Sequence, residues 1–203
     1  MINTIEYLQH RFACKAYKPD MIEKDKMRMI LEAGRLTPSS FGIEHWTFHV
    51  ARSKDLLSSC CYQESMRSAP VTVVITAKRG KYYEPYGEFI RERGERFPGT
   101  IEEFIDDYKG FYYFLQDEGR TDEWARSQCY LAAMSMMTAA SELGIQSCAI
   151  EGYENDKVLS SLGLDKEEEL VGLVIAFGYP DEEERPKVRL SFEDVVVFHY
   201  EEE

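Results

Sequence analysis

Ile2, Ile5 and Leu8 recur at helical spacing, and Met27, Ile30, Leu31 and Gly34 repeat the pattern further on, so two helices are predicted near the N-terminus. The first gives way to a polar segment, Arg11 to Tyr17, ahead of Pro19. The second stops near Thr37-Pro38, because the residue before a proline is pushed out of the α region. Trp46 to Val50 and Val71 to Ala77 are β-branched and aromatic runs that read as strands, the second apolar enough to be buried on both faces. Further strands are expected at Ile145 to Ile150, Leu170 to Phe177 and Val195 to Phe198, with a short helix from Asn155 to Leu162.

Two stretches break the ordinary pattern. Between Tyr82 and Trp124 lie 12 of the 26 aromatic residues, mixed with charges and interrupted by Pro85, Pro98 and Gly99. Phe104, Tyr108, Phe111 and Leu115 keep helical spacing there, which suits an amphipathic helix packed on the core. The same helix also suits a flap over residues 82–121 whose aromatic face covers a planar ligand. Asp122 then precedes a long helix, from about Glu123 to Leu143, closed by Gly144 beyond its last turn. Between Ser127 and Ile150 only Glu142 is charged. A helix so apolar is either central in its domain or shared with a second subunit, and the face around Ala133, Met136, Met137 and Ala140 is expected to lie at a dimer contact.

At 203 residues the chain can bury a core without metal or disulfide staples, and with no repeat and no long linker it reads as one domain, 1–203. Its 24 Lys and Arg stand against 37 Asp and Glu, a net charge of −13. That surplus repels phosphate backbones and anionic headgroups, so neither nucleic acid nor a membrane is an expected partner. Five cysteines without regular spacing suit a reducing compartment; with no signal-peptide pattern at the N-terminus, the expected location is the cytoplasm. Adjacent Cys60 and Cys61 read as structural, lacking a basic neighbour to stabilise a thiolate.

Several chemistries drop out. There is no GxG, no GxxxxGK[ST] and no GxSxG, which removes the dinucleotide fingerprint, the phosphate loop and the nucleophile elbow. His45 and His49 fall in a predicted strand, where four residues span roughly 13 Å, too far to share a metal, and no metal is expected. What remains is a basic set at opposite ends of an acidic chain: Arg11 and Lys15, Lys187 and Arg189. Brought together, they would make an anion site in which arginine forks grip a terminal phosphate.

On these residues the chain resembles the FMN-dependent nitroreductase family, and most of all its bacterial oxygen-insensitive members. Arg11-Phe-Ala-Cys-Lys15-Ala-Tyr17 is similar to the family's opening RxSxKxF-type segment, and Thr37 to Trp46 to its PSSxNxQPW loop. Glu123-Trp124 with Gln128 and Tyr130 resembles the start of its central helix. GIQSCAIEG, from Gly144 to Gly152, is similar to its GLxxxPIEG turn, and Lys187-Val-Arg189 to its closing KxR. Departures stand at Ala13 for a serine, and at Gly42, Glu44 and His45 for Asn, Gln and Pro. Tyr62-Gln63-Glu64-Ser65 lacks the family's Asn and second Lys, leaving Gln63 as the candidate substitute.

The resemblance implies an α+β fold with a largely antiparallel central sheet surrounded by helices, assembled as an intertwined homodimer with residues 190–203 pairing with the other subunit. It implies FMN as cofactor and NADH or NADPH as donor. By the same resemblance the FMN-binding set is Arg11, Phe12, Ala13, Lys15, Pro38, Ser39, Ser40, Gly42, Gln63, Gln128, Ala149, Ile150, Glu151, Gly152, Lys187 and Arg189. Ser39 and Ser40 would come from the second subunit. Glu151, Gly152 and Phe111 would stand at the reacting ring, and a nitroarene, quinone or pterin would be the planar acceptor. Same-fold enone, flavin or halo-aromatic reductases remain open alternatives, as does a non-catalytic interaction protein that has lost its flavin.

Overall fold

The two most apolar segments become the two central strands. In a computed structural model that describes residues 4–56 and 63–200, helices α1 (Thr4–His10) and α2 (Lys24–Arg35) precede strand β1 (Trp46–Arg52), helix α3 (Glu64–Ser68) and strand β2 (Val71–Lys78). Helices α4 (Glu88–Gly94), α5 (Ile101–Asp117) and α6 (Thr121–Glu142) follow. Then come β3 (Gln146–Ile150), α7 (Asn155–Ser161), β4 (Glu169–Gly178) and α8 (Phe192–Val195). The sheet order is β1-β2-β4-β3, every neighbouring pair antiparallel.

Alternation along β2 and β4 divides the interior into two layers. Val71, Val73 and Ile75, with Leu173, Ile175 and Phe177, face α2, α5 and α6. Val74, Val171, Val174 and Ala176 face the N-terminal segment, α3 and α7 through Phe12, Cys14, Met66 and Leu159. The alternation survives one irregularity: the β2–β4 register slips between Ile75 and Thr76, leaving Gly172 unpaired. Gly172 has no room for a side chain, because an added Cβ would lie 2.4 Å from that of Cys129 on α6. The bulge and the glycine together let the central helix press onto the sheet.

Three expectations need correction. Ala133, Met136 and Ala140 are buried within the chain's own core, with Met137 packed partly against it, so they do not form a free face; α6 instead exposes Tyr130, Leu131 and Met134. Val195 to Phe198 is no strand of this sheet. α8 ends at Val195, capped at its start by the Ser191 hydroxyl, which accepts the Asp194 N–H at 3.2 Å, and the apolar residues beyond pair with no strand among the described residues. Asp122 does not precede α6 but sits in its first turn, where its carboxylate accepts the Gly80 N–H at 2.6 Å and pairs with Arg79 at 2.8 Å. Gly144 does take the left-handed conformation, φ 73°. Ile2, Cys60, Cys61 and Tyr62 lie outside the described residues. No helix among those described is long and apolar enough to cross a membrane.

Candidate functional site

After β4 the chain turns back along the N-terminal segment. The Lys18 N–H donates to the Tyr179 carbonyl at 2.9 Å, Tyr17 bridges Pro180 in antiparallel sense, and the Asp181 N–H donates to the Ala16 carbonyl at 2.9 Å. Continued in that direction, residues 182–189 run past 15 down to 11. Arg11 therefore meets the Lys187–Arg189 pair although 176 residues separate Arg11 from Lys187. The Lys187 Nζ donates to the Arg11 carbonyl. Arg11, Arg185, Lys187 and Arg189 line one open cleft of about 290 Å³ together with Phe12 and Ala13.

The electrostatics of this cleft suit an anion. Burial, and after it the charge of Arg189, lowers the pKa of Arg11. Burial and then Arg11 and Arg189 do the same to Lys187. Like charges gathered at this cost stand ready for a counter-charge, and two arginine forks suit a phosphate. Arg185 belongs to the set although its position in an acidic run, Asp181 to Glu184, gave no sign of it. Lys15 stands apart, its Nζ 3.2 Å from Cys148 Sγ.

The turn after β3 forms the second part. Ala149 and Glu151 are exposed, whereas Ile150 points into the core, leaving only its backbone for a ligand. Gly152 faces Gln63: a Cβ built on the glycine would come within 3.3 Å of Gln63 Nε2. The fold thus brings the substitute amide to the glycine turn. Tyr130, from α6, donates its hydroxyl to the Glu151 carboxylate at 2.7 Å; burial and then that carboxylate push the phenol up to about 12.

The third group surrounds Pro38 to Gly42. Phe41 and Gly42 turn the chain with φ near 52° and 58°, which explains a glycine in a tight loop. Gln128 is buried and accepts the Ser40 N–H at 2.9 Å, while the Ser39 hydroxyl accepts the Glu44 N–H at the same distance. Gln128 therefore shapes the loop directly. Phe111 packs edgewise on Trp124 and tilted against Phe41, both at 5.5 Å between ring centres; the fully outward rings of α5 are Tyr113 and Phe114. Phe12 is likewise a core side chain, with its N–H donated to Gln146 at 3.1 Å. His45 and His49 share nothing: the first is sealed among Tyr83 and Trp124, the second meets Thr76 at 3.1 Å.

Residues 8–179 match the model of the nitroreductase family. The chain belongs to that family. A Staphylococcus haemolyticus relative, provisionally named an NAD(P)H nitroreductase, is 32% identical over 207 residues, spanning 95% of each chain. A solved structure of a nitroreductase in complex with FMN, from Exiguobacterium sibiricum and also provisionally named, superposes with a TM-score of 0.81 at 19% identity, covering 98% of both chains. A gut-bacterial enone reductase gives the same TM-score at 17% identity over 98% of this chain and 99% of its own. The family is one of oxidoreductases, and the α+β architecture with an antiparallel sheet matches these neighbours. The cation cleft offers a flavin mononucleotide's terminal phosphate the charges it needs, so the nitroreductase family's cofactor fits the residues present.

Proposed function

We propose that this protein is an FMN oxidoreductase that passes two electrons from NADH or NADPH to a small planar acceptor, a nitroarene, quinone or pterin, in ping-pong order. The observation that carries the reading is the cleft of Arg11, Arg185, Lys187 and Arg189 in a chain of net charge −13. When bound, FMN supplies the two-electron chemistry, and the protein binds it, tunes it and controls access to it. Arg11, Lys187 and Arg189 would hold its phosphate, and Lys15 would supply the positive charge that favours its reduced form. Gln63 supplies an amide beside Gly152, and Glu151 offers its backbone N–H. Tyr113, Phe114 and Phe111 present the aromatic cover under which planar acceptors stack. The protein acts as a cytoplasmic homodimer of single-domain subunits, with Ser39, Ser40 and residues 190–203 engaging the partner.

The absorption spectrum of the purified protein is the first test, since a colourless protein that oxidises no NAD(P)H contradicts the proposal outright. Replacing Lys187 and Arg189 together by Ala should weaken FMN binding by about tenfold or more without lowering the unfolding midpoint; undiminished flavin content removes the phosphate site. Lys15→Ala should lower the flavin midpoint potential by roughly 30 to 60 mV, the worth of one charge-assisted hydrogen bond in a two-electron couple. Double-reciprocal plots that intersect would count against a shared face for donor and acceptor. The enone reductase neighbour makes an α,β-unsaturated ketone the second acceptor class to assay.

A further inference from the structure

Glu182 sits in the acidic run that follows β4, between the basic residues of the two chain ends, and its surroundings are unlike those of its neighbours. Its carboxylate accepts the backbone N–H of Lys15 and, at 3.2 Å, that of Ala16. The other oxygen pairs with Arg185 at 2.5 Å. The side chain is only 20% exposed, and next to it the Cys14 thiol donates to the Ala16 carbonyl at 3.0 Å. Glu184, two residues on, makes only a surface pairing with His10 at 3.1 Å.

We infer that Glu182 is the positioning residue of the flavin site: by holding the Lys15 and Ala16 amides with one oxygen and Arg185 with the other, it fixes the flavin-facing lysine and the phosphate-facing segment relative to each other. The inference deepens the proposed function and rests on it. Two consecutive N–H groups aimed at one carboxylate define the place and direction of the Lys15 backbone, and so the arc within which its ammonium can reach. Without that anchor, the direct backbone hydrogen bonds that join the two segments among the described residues are those at Lys18 and Asp181, and Lys15 lies beyond both. The titration behaviour agrees: burial opposes ionisation of Glu182, yet the Lys15 N–H, then Arg185 and the Ala16 N–H, outweigh it and hold the carboxyl at about 2. The anchor is therefore charged across the whole working range. It also bears on Cys14, whose thiol is pushed up to about 12 by burial first and then by Glu182.

The test compares Glu182→Ala, Glu182→Gln and Glu182→Asp with the wild type by amide hydrogen exchange and by FMN titration of the flavin-free and reloaded full-length proteins. Glu182→Ala should speed exchange at Lys15 and Ala16, raise the FMN dissociation constant by about tenfold and lower the midpoint potential. Glu182→Gln keeps a carbonyl oxygen for both amides and should restore slow exchange and most of the potential. Glu182→Asp is one methylene too short to reach both amides; it should shift exchange and potential in the same direction as Ala, and it carries the test if the Ala variant does not fold. In a Lys15→Ala background the effect of Glu182→Ala on potential should vanish, because Glu182 acts through that lysine; additive shifts would show a general loosening and overturn the positioning role. Unchanged exchange in Glu182→Ala or Glu182→Asp overturns the geometry. A wild type that takes up no FMN refutes the proposed function, whereas a wild type and Glu182 variants that bind it equally, at equal potential, refute this inference alone.

Discussion

His45 carries the clearest pH dependence of any single side chain. Burial against Tyr83 and Trp124, and after it the charge of Arg93, pull its pKa from the ordinary 6.5 to about 3. The unfolded chain takes up this proton near 6.5 and the native protein refuses it until about 3. Stability contributed by neutral His45 is thus complete above pH 6.5 and is lost progressively as pH falls from 6.5 toward 3. Urea midpoints at pH 7.5 and 4.5 should show wild type losing more than His45→Phe, by about 1.4 kcal/mol per pH unit within that window; parallel losses would show that His45 is not the group responsible. Tyr108 is a second residue of this kind: buried, with its hydroxyl donated to the Tyr83 carbonyl at 2.6 Å. Tyr108→Phe leaves that carbonyl without this donor, and chemical denaturation should register a loss of about 1 to 3 kcal/mol.

At the scale of elements, glycines of opposite sign show what packing adds to propensity. Gly172→Ala forces a Cβ to within 2.4 Å of Cys129 and 3.2 Å of the Ile75 carbonyl, so it should destabilise the α6–β4 contact by roughly 1 to 3 kcal/mol or more. Gly110, in α5, has nothing within 4 Å of an added Cβ, and Gly110→Ala should raise stability by about 0.5 to 1 kcal/mol through helix propensity alone. Thermal melts of the two variants on either side of the wild type are the expected outcome. α5 also shows where reading a period fails by one residue. Spacing selected Phe104, Tyr108, Phe111 and Leu115, whereas the fully buried stripe is Ile105, Tyr108, Tyr112 and Leu115. In a helix this rich in aromatics, both stripes are apolar, so the boundary of the core is set by what α6 and the Phe41 loop present to it. A local signal fixes the start of this helix: Thr100 and Glu103 form a capping box, the Glu103 N–H donated to Thr100 Oγ1 at 3.2 Å and the Thr100 N–H to Glu103 at 2.8 Å.

At the scale of the whole molecule, the unsatisfied surface lies along α1, α6 and the C-terminal segment. Ile5, Leu131, Met134, Leu190, Phe192 and Val197 are exposed, a concentration of apolar side chains that supports a subunit contact. If the protein is the proposed dimer, Leu131→Glu should convert it into a monomer with weakened FMN binding, as read by light scattering and flavin titration, while Met29→Glu, at an exposed position of α2, should change neither. A wild type that runs as a flavin-loaded monomer would contradict the assembly.

By itself the sequence determined the class of fold and the chemical character of the site. Hydrophobic alternation is a local property, so β2, β4, α2 and α6 emerged close to their observed limits, and Arg11, Lys187 and Arg189 stood out as basic residues at opposite ends of an acidic chain. Gly144 announced its own left-handed turn, because only a residue without Cβ takes it freely. The tertiary structure alone decided what distant segments do to one another. The register slip that strands Gly172 depends on the cross-strand partner, and the burial of Ala133, Met136 and Ala140 depends on α2 and the sheet rather than on a second subunit. Arg185 and Glu182 were hidden within an acidic run that reads as solvated surface; only the antiparallel return of residues 180–189 along Arg11 to Tyr17 gives one a place in the cation cleft and the other two backbone amides. A residue's neighbours along the chain fix its conformation, but its charge acquires a function from groups that the fold brings within about 3 Å.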